Sequence, residues 1–168
     1  MKFKKLHFKK IDSTNNVAIR KIRKNFIFPT AIRADTQVKG RGQYGKKWIS
    51  LKGNLFMSVY FEIKKNLTLK KITKMNCLLI KNAISKFLRK KILIKHPNDL
   101  LVEKRKICGI LQETIEFKDK KFLIVGIGLN LVKNPEIKDY PTAKISDYTR
   151  KKINKLSIFN FLVKNFER

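Results

Sequence analysis

Four short clusters in this 168-residue chain carry residue types suited to handling an anion. In the first, Gly40-Arg41-Gly42-Gln43-Tyr44-Gly45-Lys46-Lys47-Trp48, glycines let backbone N–H groups approach an anion closely. Arg41, Lys46 and Lys47 add charge, and Trp48 adds a flat face. The spacing is not GxxxxGK[ST], and the segment opens no helix, so it is neither a Walker-type loop nor a dinucleotide fingerprint. Taken alone it reads equally well as a flexible hairpin tip. The second cluster is Lys95-His96-Pro97-Asn98-Asp99, followed closely by Lys106 and Gly109. A lysine beside an acyl-phosphate centre stabilises developing negative charge, and an aspartate nearby orients it or helps hold Mg²⁺. Against this, Lys106 in so lysine-rich a chain reads as an exposed turn residue, and His96, with no second histidine nearby in sequence, as packed against the sheet. The third cluster is Gly126-Ile127-Gly128-Leu129-Asn130, where glycines interrupt an apolar strand and mark either a bulge or the close approach of a ligand or another backbone. The fourth, Ser13-Thr14-Asn15, has side-chain oxygens that helix capping alone would explain.

The elements that must position these clusters follow from periodicity. Residues 2–11 alternate as a strand, and Asp12 to Asn15 can cap a helix of about ten residues carrying Ala18, Ile19, Ile22 and Phe26 at helical spacing. Thr30 to Thr36 and residues 54–63 read as strands, with the glycine segment as the loop between them. From Leu67 to Leu88 the three-to-four spacing of apolar residues predicts the longest helix. Ile92 to Ile94 makes a short strand. Leu100 to Val102, a polar turn at Glu103 to Lys106, and Ile107 to Phe117 predict a hairpin, and Lys118 to Lys121 turns into a further strand, FLIVGIGLNL. A final helix carries Leu156, Phe159, Phe161, Leu162 and Phe166. The order implies one α+β domain with a mixed, mainly antiparallel sheet and flanking helices.

Composition narrows the function classes. No apolar run approaches the roughly 20 residues that cross a bilayer. The start, MKFKKLHFKKIDS, lacks the apolar stretch and cleavage site of a secretory signal. Cys77 and Cys108 lie far apart and in no CxxC, so no disulfide framework or zinc knuckle is suggested, and a reducing cytoplasm fits. The net charge of +29 attracts polyanions. However, 33 of the 41 basic residues are Lys, spread along the whole chain. That pattern favours a solvated lysine-rich surface over a dedicated nucleic-acid site.

In this order, DSTN, TQVKGRGQYGKKW, KHPNDLLVEKRKICGILQE and GIGLNL, the motifs resemble the catalytic domain of bacterial biotin protein ligases, from about Lys5 to Leu131. The resemblance implies the biotin/lipoate ligase catalytic fold, which is similar to that of class II aminoacyl-tRNA synthetases. It also implies a two-step reaction: biotin and MgATP give biotinyl-5′-AMP, and a lysine of a biotin carboxyl carrier protein, expected to be that of acetyl-CoA carboxylase, then takes the acyl group. On the same resemblance Ser13, Thr14, Asn15 and Gln37 would bind the biotin head, with Gly109 in the pocket wall. Gly40, Arg41 and Gly42 would close over the biotin carboxylate and adenylate phosphate. Lys106 and Arg41 would be catalytic. Trp48 and Asn130 would hold the adenine, and Lys95, Asn98 and Asp99 would lie near the phosphates, Asp99 as a magnesium ligand.

Departures from the family pattern carry expectations of their own. His96 stands where relatives commonly have Trp, and Gln43 and Lys46 where they often have Arg, so the acyl adenylate is expected to leak faster. The first strand begins almost at Met1 and the chain ends in the last helix. Residues 1–168 are therefore expected to be the catalytic domain alone, without an N-terminal helix-turn-helix domain, a C-terminal SH3-like domain or specific DNA binding. Dimerisation through sheet edges, frequent in relatives, stays open. The rival readings are a lipoate or octanoyl ligase-transferase of the same fold, whose glycine-rich and His-containing signature is not found, and a basic nucleic-acid-binding protein.

Overall fold

The computed structural model describes residues 1–64, 68–138 and 140–167. Leu67, where apolar periodicity would start the long helix, lies outside them. Among the described residues the strands are β1 (Lys4–Ile11), β2 (Thr30–Gln37), β3 (Leu55–Ile63), β4 (Leu93–Lys95), β5 (Asp99–Val102), β6 (Arg105–Phe117) and β7 (Lys120–Leu129). The helices are α1 (Thr14–Arg23), α2 (Leu69–Ser85) and α3 (Lys155–Phe166). All seven strands form one sheet in the order β1-β2-β3-β7-β6-β5-β4. Only β1 and β2 run parallel, joined by the crossover helix α1 as parallel pairing requires, and every other pair is antiparallel.

Local chemistry sets the ends of these elements. Asn25 takes the left-handed conformation just beyond α1, so Phe26 leaves the helix although it still packs in the core beside it. Phe87 and Leu88 continue the apolar periodicity past the end of α2 but lie in a looser turn, because the spacing records which side is buried rather than where the helix stops. The β5–β6 turn is only Glu103-Lys104 and the β6–β7 turn only Lys118-Asp119, all four at positive φ, as two-residue hairpins demand. Lys106 is therefore a strand residue and not part of the turn expected at Glu103 to Lys106.

The two faces of the sheet are filled unequally. Along β7 the side chains of Leu123, Val125, Ile127 and Leu129 enter a cluster that holds 28 of the described residues, buried beneath α2 and α3. Phe122 and Ile124 point the other way, into a cluster of seven of the described residues beneath α1. At about 1.5–3 kcal/mol for each large apolar side chain fully buried, the α2/α3 face supplies most of the hydrophobic stabilisation, which leaves the α1 face open to hold a cavity. Gly126 and Gly128 continue the Phe122–Ile124 row by strand alternation, and they are where the apolar filling stops. No described helix is long and apolar enough to cross a membrane.

Candidate active site

A cavity of about 450 Å³ opens on the α1 face of the sheet. Its floor is a cross-strand row: Lys95 pairs with Asp99, Asp99 with Gly109, and Gly109 with Gly128. Ser13, Thr14, Asn15, Gln37, Arg41, Gly42, Trp48, Lys95, Asn98, Asp99, Lys106, Gly109 and Asn130 line it. Among the expected residues Gly40 alone is missing from the wall. It sits at the base of the loop, where a Cβ would lie 2.5 Å from the carbonyl oxygen of Trp48 and 2.8 Å from Ser50 Oγ.

The glycines of β6 and β7 make room for the protein's own side chains. A Cβ at Gly126 would meet the amide of Asn15, with Cγ at 3.0 Å, and one at Gly109 would lie 2.6 Å from Trp48 Cζ3. Trp48 thus lies across the facing pair Gly109 and Gly128, its buried indole N–H without a partner. The loop that carries it is fixed by the Trp48 N–H donating to the Gly40 carbonyl at 3.0 Å.

Capping does not account for the DSTN cluster. Ser13 occupies the N-cap position of α1, but its side chain makes no capping bond. Gln37 Oε1, reaching across from β2, accepts instead from the Thr14 backbone N–H at 2.8 Å and from the Thr14 hydroxyl at 3.1 Å. Asp12 turns to Arg20, with bonds of 2.7 and 2.8 Å. From Thr14 a polar chain continues through Ser58 Oγ, 2.7 Å from Thr14 Oγ1 and 2.5 Å from Asn15 Oδ1. The Asn15 amide then donates to Glu113 at 2.8 Å. Glu113 takes both guanidinium nitrogens of Arg41, at 2.6 and 3.1 Å, and Arg41 also donates to Asn16 at 2.9 Å. Ser58 and Glu113 were not among the expected residues. The only traces of them in sequence are a serine in the apolar run NLFMSVYFEI and the first of two glutamates in GILQETIEF.

Lys106 reaches the cavity through a bulge. Leu100 pairs with Cys108 but Leu101 with Lys106, so Ile107 is the extra residue. Ile107 and Cys108 both enter the α2/α3 core, which turns Lys106 onto the same face as Gly109. Its backbone is held on both sides, its N–H donating to Pro141 O and its carbonyl accepting from the Ala143 N–H, each at 2.9 Å. The ammonium lies 2.8 Å from Asp99 Oδ1, both side chains being largely buried, and 5.3 Å from the centres of the Trp48 and Tyr140 rings. The Tyr140 hydroxyl donates to Asp99 Oδ2 at 2.6 Å. Burial, and then this carboxylate, push the phenol's pKa up, so it stays a donor.

The remaining residues divide between structure and cavity. Asn98 donates its side-chain amide to the Ile110 carbonyl and accepts the Ile110 N–H on its backbone carbonyl, both at 2.9 Å. It thereby holds the β4–β5 turn against β6. Asn130 donates to Ala143 O at 3.1 Å, and its buried Oδ1 has no partner, which leaves an acceptor available to an amino group. His96, expected to be packed against the sheet, is exposed on the cavity wall. Burial raises the Cys77 thiol to about 11 and pushes Cys108 up as well, so both stay protonated and neither is a nucleophile at neutral pH. Asp99, expected as a magnesium ligand, has its oxygens on Lys106 and Tyr140. No three His, Cys, Asp or Glu side chains gather among the described residues. This donor set does not make a protein-held Mg²⁺ site.

The sequence matches the biotin/lipoate A/B protein ligase family over residues 7–130. The chain is 29% identical to the bifunctional ligase/repressor BirA of Bacillus subtilis over 168 residues, covering 94% of this chain and 51% of that protein. With the Escherichia coli protein of the same name it shares 33% identity over 127 residues, 72% of this chain and 38% of the other. The chain thus spans about half the length, or less, of these relatives. Its backbone superimposes with a TM-score of 0.82 and 30% identity on a biotin protein ligase from Aquifex aeolicus in complex with biotin and ATP, over 98% of this chain and 69% of that one. An archaeal lipoate protein ligase from Thermoplasma acidophilum shares the fold at 12% identity, with a TM-score of 0.67. With its motifs gathered around one cavity on this sheet, the chain belongs to the biotin/lipoate A/B protein ligase family.

Proposed function

We propose that this chain activates biotin as biotinyl-5′-AMP and transfers it to a lysine of a biotin carboxyl carrier protein, that of acetyl-CoA carboxylase, in the cytoplasm. The observation that carries the reading is the Lys106 ammonium in the cavity wall beside the only tryptophan, with a neutral hydrogen-bonding array lining the same cavity. Two anions must meet in the first step, and a desolvated cation facing their junction lowers that barrier. A biotin carboxylate oxygen attacks the α-phosphorus of ATP, the bond to the β-phosphate breaks and pyrophosphate leaves. In the second step the neutral amine of the carrier lysine attacks the acyl carbon, AMP leaves with the bonding electron pair, and the amine proton is released.

In this reading Lys106 contacts the carboxylate and α-phosphate. Ser13, Thr14, Asn15 and Gln37 face the biotin ring, whose urea group matches an array that both donates and accepts. Trp48 offers a face to the adenine and Asn130 Oδ1 an acceptor to its amino group. Arg41, held by Glu113, fixes the glycine loop over the cavity. Gly40 packs at the base of that loop, and Gly42, Lys95, Asn98 and Asp99 border the phosphates. Residues 1–168 act in this reading as a single catalytic domain.

The test is biotin-dependent ATP–pyrophosphate exchange, which needs no carrier. Wild-type protein should exchange with biotin and not with lipoate or octanoate. Lys106→Ala should lose about 10²–10³-fold, the magnitude of removing one oriented charge donor from a reacting centre. Exchange that is indifferent to biotin, or intact in Lys106→Ala, overturns the assignment.

A further inference from the structure

Tyr140 occupies a position that the reading above leaves without a task. It lies in the segment after β7 and touches three charged groups at once. The Lys95 ammonium sits 4.2 Å from its ring centre and that of Lys106 5.3 Å, while its hydroxyl donates to Asp99. We propose that Tyr140 is a positioning residue that holds Lys95 and Lys106 as a two-ammonium clamp for the polyphosphate of the nucleotide, through its ring. The proposal rests on the reading that this cavity takes ATP.

Two physical points support the clamp. Lys106, paired with Asp99 at 2.8 Å, has part of its field offset by that carboxylate, whereas Lys95, 4.2 Å from the ring centre, is held by the ring quadrupole and keeps its charge. The described charged groups around this ring, Lys95, Lys106 and Asp99, sum to +1, a surplus that a polyphosphate can use. The ring is also anchored at both ends. Its backbone adjoins Pro141, whose carbonyl accepts from Lys106 N–H, and its hydroxyl is tied to Asp99 Oδ2. The strand register of Lys106 and the pose of the ring are therefore set together. Lys95 lies directly opposite Asp99 in the β4–β5 ladder, which puts the second ammonium on the same side of the sheet. Because one ring carries both cations, the clamp favours ligands with adjacent phosphates over a single phosphate.

Trp48, the only tryptophan, reports binding by its fluorescence. Wild type, Tyr140→Phe and Tyr140→Leu are titrated with ATP, inorganic pyrophosphate and AMP. The clamp predicts that Tyr140→Leu weakens ATP and pyrophosphate about tenfold and AMP no more than about twofold, while Tyr140→Phe, which keeps the ring and its backbone anchor and gives up only the bond to Asp99, loses no more than about threefold for any of the three. A merely structural role would weaken AMP equally and would not be rescued by phenylalanine. Equal losses in the Phe and Leu variants, or none in either, overturn the clamp while leaving the ligase reading in place. Wild-type protein that binds none of the three overturns both. If Tyr140→Leu does not fold, Tyr140→Met, which fills the space without an aromatic ring, substitutes for it, with the same tenfold loss for pyrophosphate expected and an unchanged affinity refuting the proposal.

Discussion

Replacing Gly128 with alanine tests whether Trp48 is seated by the two facing glycines. A Cβ at residue 128 would lie 2.6 Å from Trp48 Cζ2 and 2.8 Å from its Nε1, where carbon atoms ordinarily meet at about 3.5–4.0 Å. Gly128 sits in β7, paired on both sides by β3 and β6, so the backbone has little freedom to yield and the indole must retreat by roughly 1 Å. Overpacking of this kind costs about 1–3 kcal/mol. In a domain of this size each kcal/mol lowers Tm by about 2–4 °C, so a cost of about 2 kcal/mol lowers it by about 4–8 °C. Thermal unfolding by circular dichroism measures the loss, and the emission of the single tryptophan should shift to the red as the ring moves towards solvent. Trp48→Leu removes the atoms that clash, so the double variant should be more stable than the sum of the two single losses by about 1 kcal/mol. Gly128→Ala with wild-type Tm and unshifted emission, or strictly additive variants, would refute the seating.

Other outcomes follow from the polar network, the acid pair and the loop. Ser58→Ala removes a wholly buried hydroxyl and leaves Thr14 and Asn15 short of a partner. Urea unfolding should register a loss of about 1–3 kcal/mol, and calorimetry should find biotin affinity reduced more than ATP affinity. The Arg20 guanidinium, against the opposing effect of burial and with help from Asn16, holds the Asp12 carboxyl well below the usual carboxylate range. Its stabilising contribution is therefore complete above about pH 4 and is lost as pH falls through the lower folded value. Both partners are partly exposed, so the pair contributes about 1 kcal/mol or less. Asp12→Asn should flatten the stability curve between about pH 4 and pH 2 and leave its slope unchanged near neutrality. Gln43→Arg adds a cation to the glycine loop on the cavity wall and should slow dissociation of the acyl adenylate, measured by its release after single-turnover formation; an unchanged rate counts against the expected leak.

Much of the fold was legible in the chain. The alternation of residues 2–11 and 54–63 and the three-to-four spacing over Leu67 to Leu88 locate β1, β3 and α2 within a few residues, because one-sided burial imposes those periods directly on side-chain type. The hairpin after β5 was legible in kind but two residues too long, since the left-handed turn at Glu103-Lys104 uses no glycine or asparagine to announce it. The clusters that carry chemistry were legible as types: glycines, cations and a lone indole beside an apolar run.

Partnership was not legible, because it depends on residues that are distant in sequence. Gln37 satisfying the N-terminus of α1, Ser58 joining Thr14 to Asn15, and Glu113 clamping Arg41 each connect elements that become neighbours only once β2, β3 and β6 are paired. Lys106 is the sharpest instance. Regular alternation from Gly109 would turn it to the opposite face, and only the bulge at Ile107 brings it beside Asp99 and Trp48. By itself the sequence determined which faces are buried and which side chains can meet an anion, since composition and period are local properties. Register, bulge and the approach of Tyr140 to Lys95 and Lys106 were decided by tertiary structure, because they are set by hydrogen bonds between strands that no local pattern encodes.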